Sequence, residues 1–360
     1  MSRLKVAAMP GDGIGKEITA PSVELVKEAA HQCGVELDFF DVEAGAQYFL
    51  DTGNGFPEEH FEQAASADAI YLAAMGLPDI RYPDGTEVGP QHDLRKRLNL
   101  YAGVRPCRTM PNLPLPLADP RSKSLDFVIV RESTEGIFAF PRKHELDSEA
   151  AAHNLMRISR ETSSKLFEYS FRLATRRKSD GYAGQVTCSD KANVLSSQFF
   201  FRSVFDDVAQ RYPDIKADHQ YVDATALDLV RCPWRYDVIP TENQFGDILS
   251  DICAALMGGM GMSSSGEIGD THAVFQPCHG SAPDIMGQGK ANPTGMILSG
   301  AIMLDYLGDK FSKPELIKAA KLLESAVEAA YATGELLPYE LGGQSGTLAI
   351  TDLVGKKLAA

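Results

Sequence analysis

The chain is short of positive charge. Its 49 Asp and Glu outnumber 35 Lys and Arg, leaving a net charge of −14. That balance argues against a nucleic-acid role, because phosphate binding needs a basic surface or stripe. If the ligand is anionic, its cationic partners must be concentrated locally. Long apolar runs are also lacking. None approaches a membrane span, and the start, MSRLKVAAMPGDG, has no apolar signal region, so no membrane role and a cytoplasmic location are expected. The six cysteines (Cys33, Cys107, Cys188, Cys232, Cys253 and Cys278) show no paired or zinc-type spacing. Buried free thiols in a reducing compartment are the expectation. No internal repeat or low-complexity segment is present. Nor is there a GxGxxG fingerprint. The first glycine turn reads GDGIG, and no acidic residue in the expected context follows about 20 residues later. Taken alone, GDGIG is a tight turn that needs positive φ.

What is present is ordinary soluble α/β material: 360 residues, 44% hydrophobic, 23% charged, with 31 glycines. The length suits one large domain or two intimately joined ones. Short apolar runs at residues 4–9, 36–40, 69–74, 125–131, 184–187, 217–222, 237–240 and 273–276 predict strands. Longer amphipathic runs at 17–33, 57–67, 92–100, 158–176, 294–307, 314–332 and 349–357 predict helices. The alternation predicts a doubly wound, mostly parallel sheet. The stretch MGLPDIRYPDGTEVGPQ has no periodicity and reads as a surface or active-site loop. ESTEGIFAFPRKHE, after the 125–131 strand, reads as a loop or hairpin arm.

The organising stretch is YDVIPTENQFGDILSDICAALMGGMGM, residues 236–262. It reads as a short strand, a turn and a helix opening at Gly246. Asp247 and Asp251 then lie four residues apart on one face, in the first turns, where amide dipoles favour negative charge. On spacing alone this is either an acid-decorated helix N-terminus or a pair of hard oxygen ligands for Mg²⁺ or Mn²⁺.

Charged residues gather at element ends in LRKRLNLYAGVRP, VIVREST, SDKANV, YVDA and FGDILSD. With MPGDGIGKEI and HGSAPDIMGQGKANP, these motifs resemble, nearly end to end, the β-decarboxylating dehydrogenases that act on isopropylmalate, isocitrate, homoisocitrate and tartrate or malate. The resemblance implies an isopropylmalate-dehydrogenase-like fold of two domains with the active site in the cleft between them. A large cofactor domain would comprise 1–105 and 256–360, and a small one, 106–255, would carry the dimer interface and metal ligands. It further implies that Arg95, Arg105 and Arg131 hold the carboxylates of a small dicarboxylic 2-hydroxy acid, as guanidinium forks suit. Asp247 and Asp251 would bind Mg²⁺ or Mn²⁺, with Asp223 completing the set from the other subunit of a homodimer. Lys191 would also reach across that dimer, as the base for the hydroxyl proton. Read without the family, each arginine and Lys191 is a solvated surface charge.

The same resemblance places NAD on HGSAPDIMGQGKANP, contacted by His279, Gly280, Ser281, Ala282, Asp284 and Asn292. Asp284 stands where NAD-using relatives carry an aspartate for the ribose hydroxyls. A carboxylate accepts from a 2′-OH but repels a 2′-phosphate, and Ile285 adds no cation. Two departures stand out. Phe138 in RESTEGIF occupies the position of the family tyrosine, the proposed acid that protonates the enolate after CO₂ leaves. Gln91, with His92 beside it, stands four residues before Arg95, where isopropylmalate enzymes carry an apolar residue and isocitrate enzymes an asparagine, so the pocket for the 3-substituent reads as polar. The expectation is an NAD- and metal-dependent oxidative decarboxylation of a 3-substituted (R)-malate. A catalytically weakened or regulatory homologue is the alternative that Phe138 raises.

Overall fold

The computed structural model describes residues 3–140 and 151–360. Residues 141–145 of the loop expected after the 125–131 strand lie outside them. The chain divides into two compact units. The first comprises Met1–Leu98, Met110–Pro114 and Met257–Ala360, and the second Asn99–Thr109 and Leu115–Leu256. The first crossing therefore comes at residue 99, earlier than the 105 expected, because the strand containing Arg105 pairs along its whole length inside the second unit.

In chain order, the first unit opens with β1 (Leu4–Gly11), α1 (Gly15–Gln32), β2 (Leu37–Asp41), α2 (Ala46–Thr52), α3 (Glu58–Ala65), β3 (Ala69–Ala74) and α4 (Pro90–Arg97). The second contains β4 (Ala102–Arg108), β5 (Asp126–Glu132), α5 (Arg160–Ser179), β6 (Gln185–Asp190), α6 (Ser196–Ala209), β7 (Lys216–Tyr221), α7 (Val222–Arg231), β8 (Val238–Thr241) and α8 (Asn243–Leu256). The chain then returns to the first with β9 (Ser264–Ile268), β10 (Ala273–Pro277), α9 (Thr294–Lys310), α10 (Pro314–Ala332) and α11 (Thr347–Leu358).

Strands of the first unit run in the order β2-β1-β3-β10-β9, parallel except for β9 against β10. β3 is buried at every position, which is why it reads as an unbroken apolar run rather than an alternating one. Helices α1, α9, α10 and α11 pack together beside it, and the Tyr71 hydroxyl donates to the Met296 carbonyl at 2.6 Å to tie α9 to β3. The GDGIG turn has Gly11 at φ 66° and Gly13 at φ 55°, as a positive-φ turn requires. Its aspartate does more than turn. Fully buried Asp12 accepts from the backbone N–H of Ala46, Gln47 and Gly76 at 2.7–2.9 Å, gathering α2 and the loop after β3 onto one carboxylate.

Strands of the second unit run β4-β5-β8-β6-β7, with only β4 and β5 antiparallel among the described pairs. A cluster of Phe167, Phe171, Phe201 and Phe205, with neighbouring ring centroids 4.6–5.4 Å apart, packs α5 against α6.

Several elements differ from expectation, and three of them bear on the site. Helix α8 begins at Asn243, not Gly246, so Asp247 and Asp251 fall in its second and third turns and its first turn carries no acid. The dipole argument for them weakens accordingly, since that field is felt mainly in the first turn. Glu242 starts the helix early: its carboxylate accepts from Gln244 N–H at 3.2 Å and its carbonyl from Gly246 N–H at 2.8 Å. Gly246 is needed for closeness instead, because an added Cβ would lie 2.7 Å from Arg131 Cβ on β5. Helix α7 was not expected. The strand at 217–222 ends at Tyr221, and Asp223 sits in the first turn of a helix. Finally, α4 starts at Pro90, a residue suited to the first helical position, so it includes Gln91.

Candidate active site

In the second unit the site grows from the register of β4 on β5. Arg105 pairs with Ile129 and Gly103 with Arg131, so the two arginines share one face of the sheet. Helix α8 crosses that face. Arg131 Nε and Nη2 both donate to Asn243 Oδ1, at 2.9 and 2.7 Å, and Nη1 pairs with Asp247. Arg105 Nη1 donates to Ser250 Oγ at 2.6 Å, and that hydroxyl donates to the Asp247 carbonyl at 2.9 Å. Both arginines are buried, and burial of a guanidinium is tolerable only with such partners. Asp251 lies one turn beyond Asp247. Partial desolvation and the Asp247 charge raise its pKa, against the pull of Arg105 and Arg131.

Around these, Glu132 at the end of β5 is buried, and desolvation pushes its pKa up to about 7 despite donors from Thr134 and Glu135. Burial likewise raises the pKa of Glu242, whose Oε2 has no hydrogen-bond partner. Phe138 is 51% exposed, with its ring centroid 6.0 Å from Arg131 Cζ.

Lys191 follows β6 and pairs with Asp223 at 2.5 Å. The Lys191 ammonium holds the Asp223 carboxyl below its ordinary range. The turn is fixed by fully buried Asp190, which takes Arg202 Nε and Nη2 at 2.8 and 2.7 Å and the Ala192 N–H at 2.8 Å. Asp223 is thus engaged with Lys191. Among the described residues no three His, Cys, Asp or Glu side chains gather in a way that could hold a metal ion.

In the first unit, α4 carries Gln91, exposed His92 and Arg95. Arg95 is not a solvated charge: its Nη2 lies 2.9 Å from Oε1 of buried Glu267 on β9. A pocket of about 320 Å³ is lined by His279, Ala282 and Asn292 of the expected cofactor loop, together with Ile14, Tyr339 and Glu340. His279 Nδ1 lies 2.9 Å from the Gly280 carbonyl, while Nε2 is buried with no hydrogen-bond partner, and desolvation lowers the ring's pKa. Asn292 is spoken for: its Nδ2 donates to Glu340 Oε1 at 2.8 Å and its Oδ1 accepts from Thr294 N–H at 3.0 Å. Ser281 is buried structure, its hydroxyl donating to the Gly76 carbonyl at 2.5 Å and its carbonyl accepting from Ile14 N–H at 2.8 Å. Gly280 and Asp284 are exposed beside the pocket, and Ile285 lines it.

Sequence reasoning missed Asn243, Ser250, Asp190, Glu267, Tyr339 and Glu340. Asn243 carried a signal, since it precedes Asp247 by one helical turn. Glu267 and Glu340 are met only through long-range packing.

The family model described as isocitrate/isopropylmalate dehydrogenase matches residues 5–356. The chain belongs to that family. It is 40% identical over 355 residues to a Thermus thermophilus protein named isocitrate/homoisocitrate dehydrogenase, covering 98% of each. It is 37% identical over 355 residues to a Methanocaldococcus jannaschii 3-isopropylmalate/3-methylmalate dehydrogenase, again covering 98% of each. Among solved structures, a β-decarboxylating dehydrogenase from Thermococcus kodakarensis aligns with a TM-score of 0.81 at 33% identity, over 99% of this chain and 96% of that one. Isocitrate dehydrogenase from Methylococcus capsulatus aligns with a TM-score of 0.85 at 31% identity, over 99% and 100%. The fold and family expected from the motifs are borne out.

Proposed function

We propose that the protein catalyses NAD-dependent, divalent-metal-dependent oxidation of a 3-substituted (R)-malate at its 2-hydroxyl, followed by β-decarboxylation. The carrying observation is the α8 face, where Arg105, Arg131, Asp247 and Asp251 converge on one side of the β4–β5 pair. The Asp247 charge that helps raise the proton affinity of Asp251 would be offset by a divalent cation, and the hard oxygens of both carboxylates suit Mg²⁺ or Mn²⁺. The donor set therefore fits that metal. For NAD the fit rests on the 320 Å³ pocket and the orphaned Nε2 of His279, a group that a ligand polar atom would satisfy. Asp284 would meet the adenosine ribose hydroxyls there.

When bound, the metal would polarise the 2-hydroxyl and the nicotinamide would supply the acceptor for the C2 hydride. Arg105 and Arg131 would orient the substrate carboxylates, held rigid by Ser250 and Asn243. Arg95 would do so from α4. Lys191 is the proposed proton acceptor for the 2-hydroxyl, and Asp223 fixes its direction. Once C2 is a carbonyl, the neighbouring β-carboxylate can leave as CO₂, and the buried guanidinium charge stabilises the enolate that results.

A homodimer would bring Lys191 and Asp223 of one copy to the other's site as a pair, Asp223 joining Asp247 and Asp251 at the metal. Exposed Leu227 and Val230 on α7 and Ile248 on α8, helices that pack together, supply apolar surface for a second copy to cover. The catalytically weakened reading is not favoured, because every proposed charged group is present. The test is NADH formation against isopropylmalate, isocitrate, tartrate, malate and methylmalates, with and without Mn²⁺. No oxidation of any of them in the presence of metal would overturn the reading.

A further inference from the structure

The motif MPGDGIGKEI lends no charged side chain to the scheme above, yet its glutamate has two partners far away in the sequence. Glu17 lies in the first turn of α1, where an acid is ordinarily explained by the helix dipole. Here the carboxylate reaches out of the helix. Its Oε2 accepts from Gly287 N–H at 3.1 Å, and its Oε1 lies 2.5 Å from Thr347 Oγ1. That hydroxyl is also 2.8 Å from the Ala291 carbonyl, so its single proton serves acceptors on α1 and on the loop. Buried Thr347 opens α11, and its own N–H donates to the Gly289 carbonyl at 3.0 Å. Gly346 before it is pressed on the same peptide, since an added Cβ would lie 1.8 Å from the Gly289 oxygen.

What these contacts hold is the stretch 284–291, in which Ile285, Lys290 and Ala291 line the pocket of about 320 Å³. Its middle is poorly specified by itself. Residues 286–289 are exposed, and Gly287 and Gly289 sit at φ 73° and 66° with nothing within 4 Å of an added Cβ. Ordering such glycines is costly in backbone entropy, and a ligand that meets a wall already ordered is spared that cost. Resting on the NAD reading above, we propose that Glu17 and Thr347 are positioning residues for the cofactor, tethering 284–291 to α1 and α11 so that this wall of the pocket is ordered before NAD arrives. Neither side chain acts on NAD directly. Both act through the backbone groups of Gly287, Gly289 and Ala291, and α1 and α11 pack together, so the two tethers share one support.

The experiment combines amide hydrogen exchange of the cofactor-free protein, NADH binding by fluorescence titration, and steady-state kinetics. It compares the parent with Glu17→Ala, Glu17→Gln, Thr347→Val and Thr347→Ser. Glu17→Ala and Thr347→Val should speed exchange across 284–291 while β1 and β3 keep the parent's protection. Both should raise the NADH dissociation constant and KM for NAD by about tenfold, the scale of one hydrogen bond to a charged group. At saturating NAD, kcat and KM for the hydroxy acid should hardly move. Glu17→Gln keeps one acceptor oxygen and should fall between parent and alanine, and Thr347→Ser should match the parent. If thermal unfolding shows that Glu17→Ala does not fold, Glu17→Gln and the two Thr347 variants decide. Unchanged loop exchange or unchanged NADH affinity in the tether variants overturns the proposal while sparing the NAD reading. So does an equal worsening of every kinetic constant, which marks a general loss of structure. A parent that binds no NADH would overturn the NAD reading itself, and this proposal with it.

Discussion

Asn243 holds Arg131 with a single oxygen: Oδ1 accepts from Nε at 2.9 Å and from Nη2 at 2.7 Å, while Nδ2 donates to the Glu135 carbonyl at 2.9 Å. The guanidinium is thereby held by one amide that is itself tied to the loop after β5. Replacing Asn243→Ala leaves two buried donors unpaired, at a cost of roughly 1.5–3 kcal/mol for hydrogen bonds to a charged group. KM for the hydroxy acid should rise by about 10- to 100-fold, on 1.4 kcal/mol per tenfold, and KM for NAD should hardly move. Steady-state kinetics with each substrate varied in turn would check this, and an equal rise in both constants would refute it.

Asp247, a proposed metal ligand on α8, has its side chain 49% exposed, so its loss should spare the fold. Asp247→Asn removes one charged oxygen and is expected to weaken Mn²⁺ binding sharply, seen directly by titration calorimetry as well as in turnover. Full activity of this variant after EDTA treatment would remove the metal assignment.

The sequence announced more of the strands and charges than of their connections. Periodicity located β3 and α9 because burial on all sides leaves a continuous apolar run. It missed α7, whose residues 222–231 follow a strand without a turn signal, so the helix is set by Tyr221 ending the strand. It misplaced the start of α8 because TEN looks like a turn, whereas Glu242 supplies the acceptors that let the helix begin early. Arg105, Arg131, Asp247 and Asp251 were legible as charges at element ends. That Arg95 meets Glu267 was not, because 172 residues separate them and only the packing of β9 brings them together.

Cofactor preference should follow Asp284 and Ile285. The first is exposed beside the pocket and the second lines it, so a 2′-phosphate reaching that edge would meet a carboxylate and no new cation from either residue. Catalytic efficiency should favour NAD over NADP widely, and Asp284→Lys with Ile285→Tyr should narrow or reverse the ratio. Equal use of both cofactors by the unaltered protein would contradict this.

Lys191 and Asp223 form one ion pair, and in the proposed dimer they serve the partner's site as a unit. Lys191→Ala and Asp247→Asn homodimers should each be nearly inactive. Heterodimers of the two would then contain one doubly damaged site and one intact site, recovering about half of the parent activity, by the one-in-two count of sites in a symmetric pair. Verified heterodimers with no recovery would put Lys191 and Asp247 in the same subunit's site.

Phe138 faces Arg131 across 6.0 Å and is half exposed, so whatever Arg131 binds has a phenyl ring at its edge. The ring has no proton to give. Oxidation at C2 needs the metal, Lys191 and the cofactor, none of which depends on position 138. Protonation of the enolate after CO₂ departs does need an acid, and loss of a positioned acid typically slows its step by about 10²–10⁴-fold. The first turnover should therefore form NADH quickly while a later step lags, giving a burst in rapid-mixing traces. Phe138→Tyr restores a phenol at that edge. It should raise steady-state turnover while leaving the rate of the first NADH formed nearly constant, so that the burst shrinks. A parent with no burst, and a tyrosine variant that changes neither rate, would mean that another group already delivers the proton. Buried Glu132 and Glu242 would then be the carboxyls to test next, since burial raises the proton affinity of both.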